Sequence, residues 1–230
     1  MSDIDTAAAR LAGIEARIAR AAELAGRPRA EIDLIAISKT KSIDEIAPLI
    51  AAGQTSFGEN RVQEAEAKWP ALLDRAPLPE RQGRKVTLHL VGRLQSNKAK
   101  EAVALFDTIH SVDRPSLIEA LARAVDATGR RPDCFVQVNI GEEAQKGGCA
   151  IGDLTGLLSR ARDAGLIVIG LMAVPPLAVE PAPYFALLAK LAKRHGLAGL
   201  SMGMSSDFET AIMIGATHIR VGTALFEGRR

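Results

Sequence analysis

Short apolar runs that alternate with helical patterns along the whole chain restrict its fold more than any other feature. Strands that alternate with helices through short connections form parallel βαβ units. Eight such units in 230 residues predict an α/β fold, a closed (β/α)8 TIM barrel, with a doubly wound open sheet as the alternative. The predicted strands are Ile32–Ser38, Thr55–Phe57, Val86–Val91, Thr108–Ile109, Cys134–Ile140, Ile167–Met172, Gly199–Met202 and His218–Val221.

The segments between these strands carry apolar residues at helical spacing. An extra amphipathic helix over Asp3–Ala25 precedes the first strand. Two loops, Pro70–Lys85 and Val174–Pro183, are rich in proline, but neither adjoins enough sequence for a second core, so we expect one domain over residues 1–230. The other predicted helices are Ile43–Ala52, Val62–Lys68, Lys98–Leu105, Ser116–Ala127, Leu154–Ala164, Tyr184–Arg194 and Asp207–Ile214.

Composition excludes several classes of protein. A hydrophobic content of 47% with 24% charged residues is typical of a soluble globular chain, and a net charge of +2 gives no basic footprint for nucleic acid. The N-terminus lacks a secretory signal and no segment reaches membrane-spanning length, so we expect a cytoplasmic protein without a membrane partner. Cys134 and Cys149 lack metal-ligand spacing and are expected to be free thiols, with no metal site.

Lys39 ends the first predicted strand, with a turn and a helical segment after it. In a (β/α)8 barrel, chemistry takes place where the strands end and their following loops begin. A lysine at such a place has its stem against the core and its amine at the rim, where it is able to form a Schiff base. A solvated lysine beyond a strand is the plainer interpretation, since most lysines are exposed. The neighbouring residues decide between that interpretation and a Schiff-base lysine.

The loops after the seventh and eighth strands have the features of a phosphate site. Ser201–Ser206 leads from a strand into a helix, with Ser206 and Glu209 spaced as a capping box. Gly222-Thr223 follows the last strand and offers a close backbone approach and a hydroxyl. Because these two loops commonly hold phosphate in barrels, and because the first and eighth strands of a closed barrel are neighbours, we expect an anion site beside Lys39.

Pyridoxal 5'-phosphate (PLP) carries both a phosphate and an aldehyde, and it is held in proteins through a lysine Schiff base with a partner at its ring nitrogen. Arg220 lies two residues before Gly222, on the same face of the last strand, and is placed for that ring contact. An ion pair with a barrel carboxylate is the alternative role for this arginine. A Schiff-base aldolase that acts on a sugar phosphate is the alternative function. Such an enzyme uses the lysine and the phosphate site but needs no cofactor.

At these residues the chain resembles the PLP homeostasis proteins, a family similar to the N-terminal barrel of alanine racemase. The match runs in order along nearly the whole chain after the first helix. The matching segments are Ile37-Ser38-Lys39-Thr40-Lys41, Phe57-Gly58-Glu59-Asn60-Arg61-Val62-Gln63-Glu64, His89-Leu90-Val91-Gly92-Arg93-Leu94-Gln95-Ser96-Asn97-Lys98, Val138-Asn139-Ile140, Gly170-Leu171-Met172, Leu200-Ser201-Met202-Gly203-Met204-Ser205 and Arg220-Val221-Gly222-Thr223-Ala224-Leu225-Phe226-Glu227-Gly228.

The resemblance implies a PLP-binding barrel of fold type III, with Lys39 carrying the cofactor. It places three residues against the ring, Arg220 at the ring nitrogen and three residues at the phosphate. It also implies a monomer whose candidate partners are apo forms of PLP-dependent enzymes. The implied cofactor-binding residues are Lys39, Asn60, His89, Met172, Ser205, Arg220, Gly222 and Thr223.

The resemblance favours a carrier of PLP over a catalyst. An arginine at the ring nitrogen weakens the cofactor as an electron sink, because it donates a hydrogen bond and leaves that nitrogen without its own proton. The resembled racemases take a second base, a tyrosine, from an added domain, whereas Tyr184 here starts a helix and His218 enters the last strand at the wrong end. A small racemase-like enzyme is the alternative. Lys146, in the loop after the fifth strand, is interpreted as an ordinary exposed lysine.

Overall fold

The computed structural model describes residues 3–75 and 85–226, and eight parallel strands close into a barrel in sequence order. The eight predicted strands and the barrel are therefore confirmed. Each strand pairs with the next, and β1 pairs with β8 to complete the ring. The strands are β1 Asp33–Ile37, β2 Ser56–Glu59, β3 Thr87–Leu90, β4 Thr108–Val112, β5 Asp133–Gln137, β6 Ile167–Met172, β7 Gly199–Met204 and β8 His218–Val221.

Helices connect the strands and surround the barrel. Their apolar faces and the outward side chains of the strands form one buried cluster that contains Ile46, Phe57, Trp69 and Phe106. Among the described residues, no helix combines the length and the hydropathy needed to cross a membrane. The helices are α1 Asp3–Leu24, α2 Ile43–Ala51, α3 Val62–Arg75, α4 Ala99–Leu105, α5 Pro115–Thr128, α6 Leu154–Asp163, α7 Ala182–Arg194, α8 Phe208–Met213 and α9 Thr223–Phe226.

The extra helix α1 packs against α2, α8 and α9, beside the place where the barrel closes. Arg17 on α1 makes a bidentate ion pair with Glu209 on α8, with N···O distances of 2.9 and 2.8 Å, and its guanidinium lies 4.6 Å from the centre of the Phe208 ring. This contact fixes the helix that follows β7, and so it supports the loop predicted to hold phosphate.

Several predicted boundaries were wrong. The fourth strand continues past Ile109 to Val112, and the seventh past Met202 to Met204. Pro70 was expected to open a loop, but α3 continues through it to Arg75, because Trp69 and Leu72 are buried on the inner face of that helix. Of the expected loop, residues 76–84 lie outside the described part of the chain. The fifth strand ends at Gln137 rather than Ile140, since Val138 makes only an isolated bridge to Cys149 in the following loop.

Candidate functional site

The carboxyl ends of β1 and β8 lie side by side, which is the adjacency that the sequence predicts. Ala36 is paired with Val221, one residue before Gly222. A Cβ atom added to Gly222 would lie 3.4 Å from Ile37 Cβ and 3.5 Å from Ile37 O, so the two strand ends are in close contact. Lys39 follows Ile37 by two residues and its side chain is exposed. The backbone at Lys39 therefore leaves the barrel at the rim, just beyond the strand end that contacts Gly222.

A buried ion pair supports the segment that carries Lys39. Lys68 Nζ lies 2.9 Å from Glu59 Oε1, and the Glu59 side chain is fully buried. The same ammonium donates to Ser38 O at 2.8 Å and to Lys41 O at 3.2 Å, the carbonyls on either side of the Lys39-Thr40 turn. The sequence analysis missed this pair. Its only signal in the sequence is a glutamate at the end of β2 followed by a lysine on the next helix.

Glu59 also accepts hydrogen bonds from two neutral groups. Ser38 Oγ lies 2.5 Å and Trp69 Nε1 lies 2.9 Å from Glu59 Oε1. Thr40 has a positive φ of 62°, and its N–H donates to Glu64, which itself pairs with Lys68 at 2.9 Å. A left-handed threonine is strained, so the turn needs these contacts to keep its shape. Together they fix the backbone from which the Lys39 side chain projects.

The loop after β7 differs from the expected capping box of Ser206 and Glu209. Helix α8 begins at Phe208, and Asp207 Oδ1 accepts the Met204 N–H at 2.6 Å within the turn. Glu209 is instead occupied by Arg17. Ser205 is turned toward β8, since its Oγ accepts the N–H of Gly222 at 3.4 Å, a long contact. The loops after β7 and β8 thus meet through Ser205 and Gly222.

Arg220 lies inside the barrel, 5% exposed, and is held by three polar contacts. Its Nη1 donates to Ser201 O at 2.8 Å and to Ser201 Oγ at 2.6 Å, and its Nη2 donates to Ala173 O at 3.0 Å. Ala173 follows Met172, which is itself buried at the end of β6. Burial lowers the pKa of the Arg220 guanidinium to about 10, so the group stays charged at neutral pH. These contacts take the place of the carboxylate partner that the sequence analysis offered as an alternative.

Asn60 follows β2 and is held by the loop after β3. A Cβ atom added to Gly92 would lie 2.2 Å from Asn60 O and 2.7 Å from Asn60 Cα. Only a glycine allows the two loops to approach this closely. The contact fixes the backbone of Asn60 at the rim of the barrel.

Gly92→Ala is therefore expected to push the two loops apart, with a loss of about 1–3 kcal/mol in the free energy of unfolding. Urea unfolding measures this loss. Gly13→Ala is the matched control, because that glycine lies inside α1 with nothing within 4 Å of an added Cβ. A methyl group there is expected to stabilise the protein by about 0.5–1 kcal/mol. Equal effects of the two substitutions would contradict the close-approach argument.

His89 belongs to a group of buried imidazoles in the barrel interior that the sequence analysis did not foresee. His89 Nδ1 lies 3.0 Å from His110 Nε2, and the His110 ring stacks on Phe135 with a centroid distance of 4.5 Å. His218 packs edge-on against Phe135 at 4.9 Å. Burial lowers the pKa of all three histidines. The Asp33 and Asp107 carboxylates oppose this shift in His89, the pKa of His110 lies well below its usual value, and that of His218 is about 4. All three rings are therefore neutral at pH 7.

Four further residues have ordinary structural surroundings. Lys146 pairs with Glu143 at 2.6 Å and donates to Pro175 O at 2.9 Å, so it joins the loops after β5 and β6 rather than standing exposed. Tyr184 is on α7 and packs, half-buried, against the hydrophobic cluster. Both cysteines are free thiols, as predicted. Within the described ranges, no group of three or more His, Cys, Asp or Glu is placed to hold a metal ion.

This closed parallel barrel is shared with a known class of domains. The family model for the alanine racemase N-terminal domain matches residues 10–230. Alanine racemase from Bacillus anthracis superposes with a TM-score of 0.63 over 94% of this chain and 55% of that one, at 15% identity. That likeness concerns the fold alone.

Closer relatives identify the family. The PLP homeostasis protein of Pseudomonas aeruginosa is 40% identical over 98% of this chain and 97% of its own length. That of Escherichia coli K12 is 34% identical over 100% of this chain and 98% of its own length. PipY from Synechococcus elongatus, solved with PLP bound, is 40% identical with a TM-score of 0.76, over 91% of this chain and 99% of that one. The chain belongs to the family of PLP homeostasis proteins.

Proposed function

We propose that this protein holds PLP through a Schiff base on Lys39 and acts in PLP homeostasis, by storing, buffering or delivering the cofactor. The pairing of β1 with β8 carries this proposal, because it brings the strand that precedes Lys39 beside the strand that precedes Gly222 and Thr223. Apo forms of PLP-dependent enzymes are the recipients we propose. The proposed contact residues are Lys39, Asn60, Met172, Ser205, Arg220, Gly222 and Thr223. His89, which the resemblance also implied, instead faces the amino ends of the strands, with its Nε2 3.6 Å from Asp33 Oδ2.

The residues of the site suit this cofactor in shape and charge. Arg220 has five N–H donors, and the contacts among the described residues use both on Nη1 and one on Nη2. The Nε–H and one Nη2–H remain for a ring nitrogen. Gly222 has no side chain to block an anion, and the Ser205 hydroxyl and the first N–H groups of α9 lie beside it. Lys39 is exposed at the rim, where an aldehyde reaches it.

The site also favours holding the cofactor over using it. When bound, PLP supplies an aldehyde for the Schiff base and a ring that withdraws electrons. Arg220 remains a donor at neutral pH, so it keeps a proton off the ring nitrogen and weakens that withdrawal. Tyr184 packs against the hydrophobic cluster on an outer helix. These features support a carrier role, with a racemase-like enzyme as the second candidate.

Peptide mapping of the lysine that binds PLP tests the proposal. Protein mixed with PLP should show the visible absorbance band of a Schiff base, and borohydride should fix the pyridoxyl group on Lys39. Lys39→Ala should lose the band. Lys41→Ala is the matched control, a lysine two residues away whose ammonium pairs with Glu45 at 3.2 Å, and it should keep the band.

Two results would contradict this assignment. Absence of the band after PLP is added would favour an aldolase that uses lysine without the cofactor. Turnover of any amino acid at an ordinary enzymatic rate, about 1 per second or faster, would favour the racemase-like alternative if Lys39→Ala abolished it.

A further inference from the structure

A continuous line of polar contacts crosses the barrel interior, from Arg220 to the opposite mouth. Ser201 Oγ lies 2.6 Å from Arg220 Nη1 and 2.8 Å from His110 Nδ1. His110 Nε2 lies 3.0 Å from His89 Nδ1. Ser201 and His110 are fully buried, and His89 is 4% exposed. Their hydrogen bonds are therefore made with each other rather than with bulk water.

The line ends at the amino ends of β1 and β3. His89 Nε2 lies 3.3 Å from Thr87 Oγ1 and 3.6 Å from Asp33 Oδ2. Thr87 and Asp33 are the first residues of their strands, and Asp33 is also bonded to the Ser56 hydroxyl at 2.7 Å. A permanent cation thus stands at one end and a carboxylate at the other.

The cation sets the direction of the hydrogen bonds. A guanidinium only donates, so Ser201 Oγ accepts from Arg220 and its own proton is directed to His110 Nδ1. His110 is neutral, so its single proton is on Nε2 and is donated to His89 Nδ1. His89 then carries its proton on Nε2, facing Thr87 and Asp33.

The carboxylate selects the same direction. If the bonds ran the other way, His89 would present the lone pair of Nε2 to Asp33, which is repulsive. The proton of Ser201 would also need another acceptor inside the barrel. Both ends therefore specify the Nε2–H tautomer for His89 and for His110.

The consequence for Arg220 is geometric. The Ser201 hydroxyl and carbonyl take both hydrogens of Nη1, and Ala173 O takes one hydrogen of Nη2, so the guanidinium is fixed in rotation about its long axis. The Nε–H and one Nη2–H of Arg220 have no partner among these contacts and are available to a ligand.

We propose that Ser201, His110 and His89 form a one-directional hydrogen-bond relay that orients Arg220 toward the ring nitrogen of the bound cofactor. Ser201 and His110 are positioning residues in this scheme, since they act on the ligand through Arg220. The proposal deepens the proposed function and rests on it. A purely structural role, in which the relay only satisfies buried polar groups, predicts a loss of stability without a change in cofactor binding.

The first test reads the tautomers without cofactor. In the full-length protein free of PLP, the 15N chemical shifts of the imidazoles should identify His89 and His110 as Nε2–H tautomers. An Nδ1–H tautomer at His110 in the wild-type protein would overturn the relay, whatever the protein binds.

The second test measures PLP binding. Ser201→Ala should weaken the affinity about tenfold and shift the Schiff-base absorbance maximum, while borohydride still labels Lys39. Ser201→Thr keeps the hydroxyl and should restore most of the affinity. Thr217→Val is the matched control, because Thr217 Oγ1 bonds His218 Nδ1 at 2.8 Å just before β8 and lies outside the relay. It should lower stability and leave the affinity unchanged.

The outcomes separate the two proposals. Wild-type affinity and absorbance in Ser201→Ala would overturn the positioning role and leave the Lys39 assignment standing. If Ser201→Ala does not fold, His110→Gln is measured in its place, with the same expected weakening. Failure of the wild-type protein to bind PLP would remove the proposed function, while the tautomers would still decide whether the relay exists.

Discussion

Acidification from pH 7.5 to 5 is expected to destabilise this protein, because the folded state buries three neutral histidines. In the unfolded chain each histidine binds a proton near pH 6.5, whereas the folded protein keeps His89, His110 and His218 unprotonated below that pH. The unfolded state then binds more protons, so the free energy of unfolding falls as the pH falls. This contribution to stability is complete above pH 6.5 and is lost progressively below it.

The size of the effect follows from His218. With a folded pKa of about 4, that residue alone removes roughly 2 kcal/mol between pH 6.5 and 5. His89 and His110 act in the same direction. The Asp33, Asp107 and Asp133 carboxylates near the rings oppose the shift, and Arg220 reinforces it in His110 and His218. Because folded proteins are commonly stable by only about 5–15 kcal/mol, the combined loss is a large fraction of the total.

Urea unfolding at several pH values between 5 and 7.5 measures this dependence. His218→Gln should reduce the slope by up to about 1.4 kcal/mol per pH unit. Phe135→Leu is the matched control, because Phe135 packs against His110 and His218 but does not titrate. It should lower the whole curve without changing the slope. A free energy of unfolding that stays constant from pH 7.5 to 5 in the wild-type protein would contradict the neutral, buried state of these rings.

The outer features of the barrel were predictable from the sequence, because each depends on local patterns. The strands alternate with helices, and parallel strands in a closed barrel place their ends at one rim, so the proximity of the strand ends before Lys39 and Gly222 followed from chain order. The continuation of α3 through Pro70 was not predictable, because it depends on burial of Trp69 against Phe57, with ring centroids 5.1 Å apart. Tertiary packing there outweighs the local preference of proline to end a helix.

The barrel interior was the least predictable part. Thr87 and His89 lie two residues apart on β3, as do His218 and Arg220 on β8, so each pair shares one face of its strand. The sequence therefore indicates which residues point inward. It does not indicate which residues of different strands meet, since that depends on the shear of the barrel. His110 and Ser201 are 91 residues apart in sequence yet share a hydrogen bond. Contacts of this kind need coordinates.

Lys68→Met is expected to lower the free energy of unfolding by about 3–5 kcal/mol, because it leaves the Glu59 carboxylate buried without its cation. The Glu59 side chain is fully buried, and its Oε2 has no hydrogen-bond partner among the described residues. The hydrogen bonds from Ser38 and Trp69 to Oε1 are too few to solvate a charge. Urea or thermal unfolding measures the loss.

Two companion variants separate charge from packing. Glu59→Gln in the Lys68→Met background removes the uncompensated charge, so the double variant should be more stable than Lys68→Met alone. Glu31→Gln is the control, because its partner Arg27 is at 3.3 Å and the Glu31 side chain is 53% exposed. That change should cost less than about 1 kcal/mol.

Lys68→Met should also weaken PLP binding, for a separate reason. Lys68 Nζ bonds the carbonyls of Ser38 and Lys41, so its loss frees the turn that holds Lys39. The double variant restores charge balance but not these two hydrogen bonds. It should therefore recover stability without recovering affinity for PLP. Recovery of both together would mean that Lys68 acts on the site only through global stability, and that the turn keeps its shape without it.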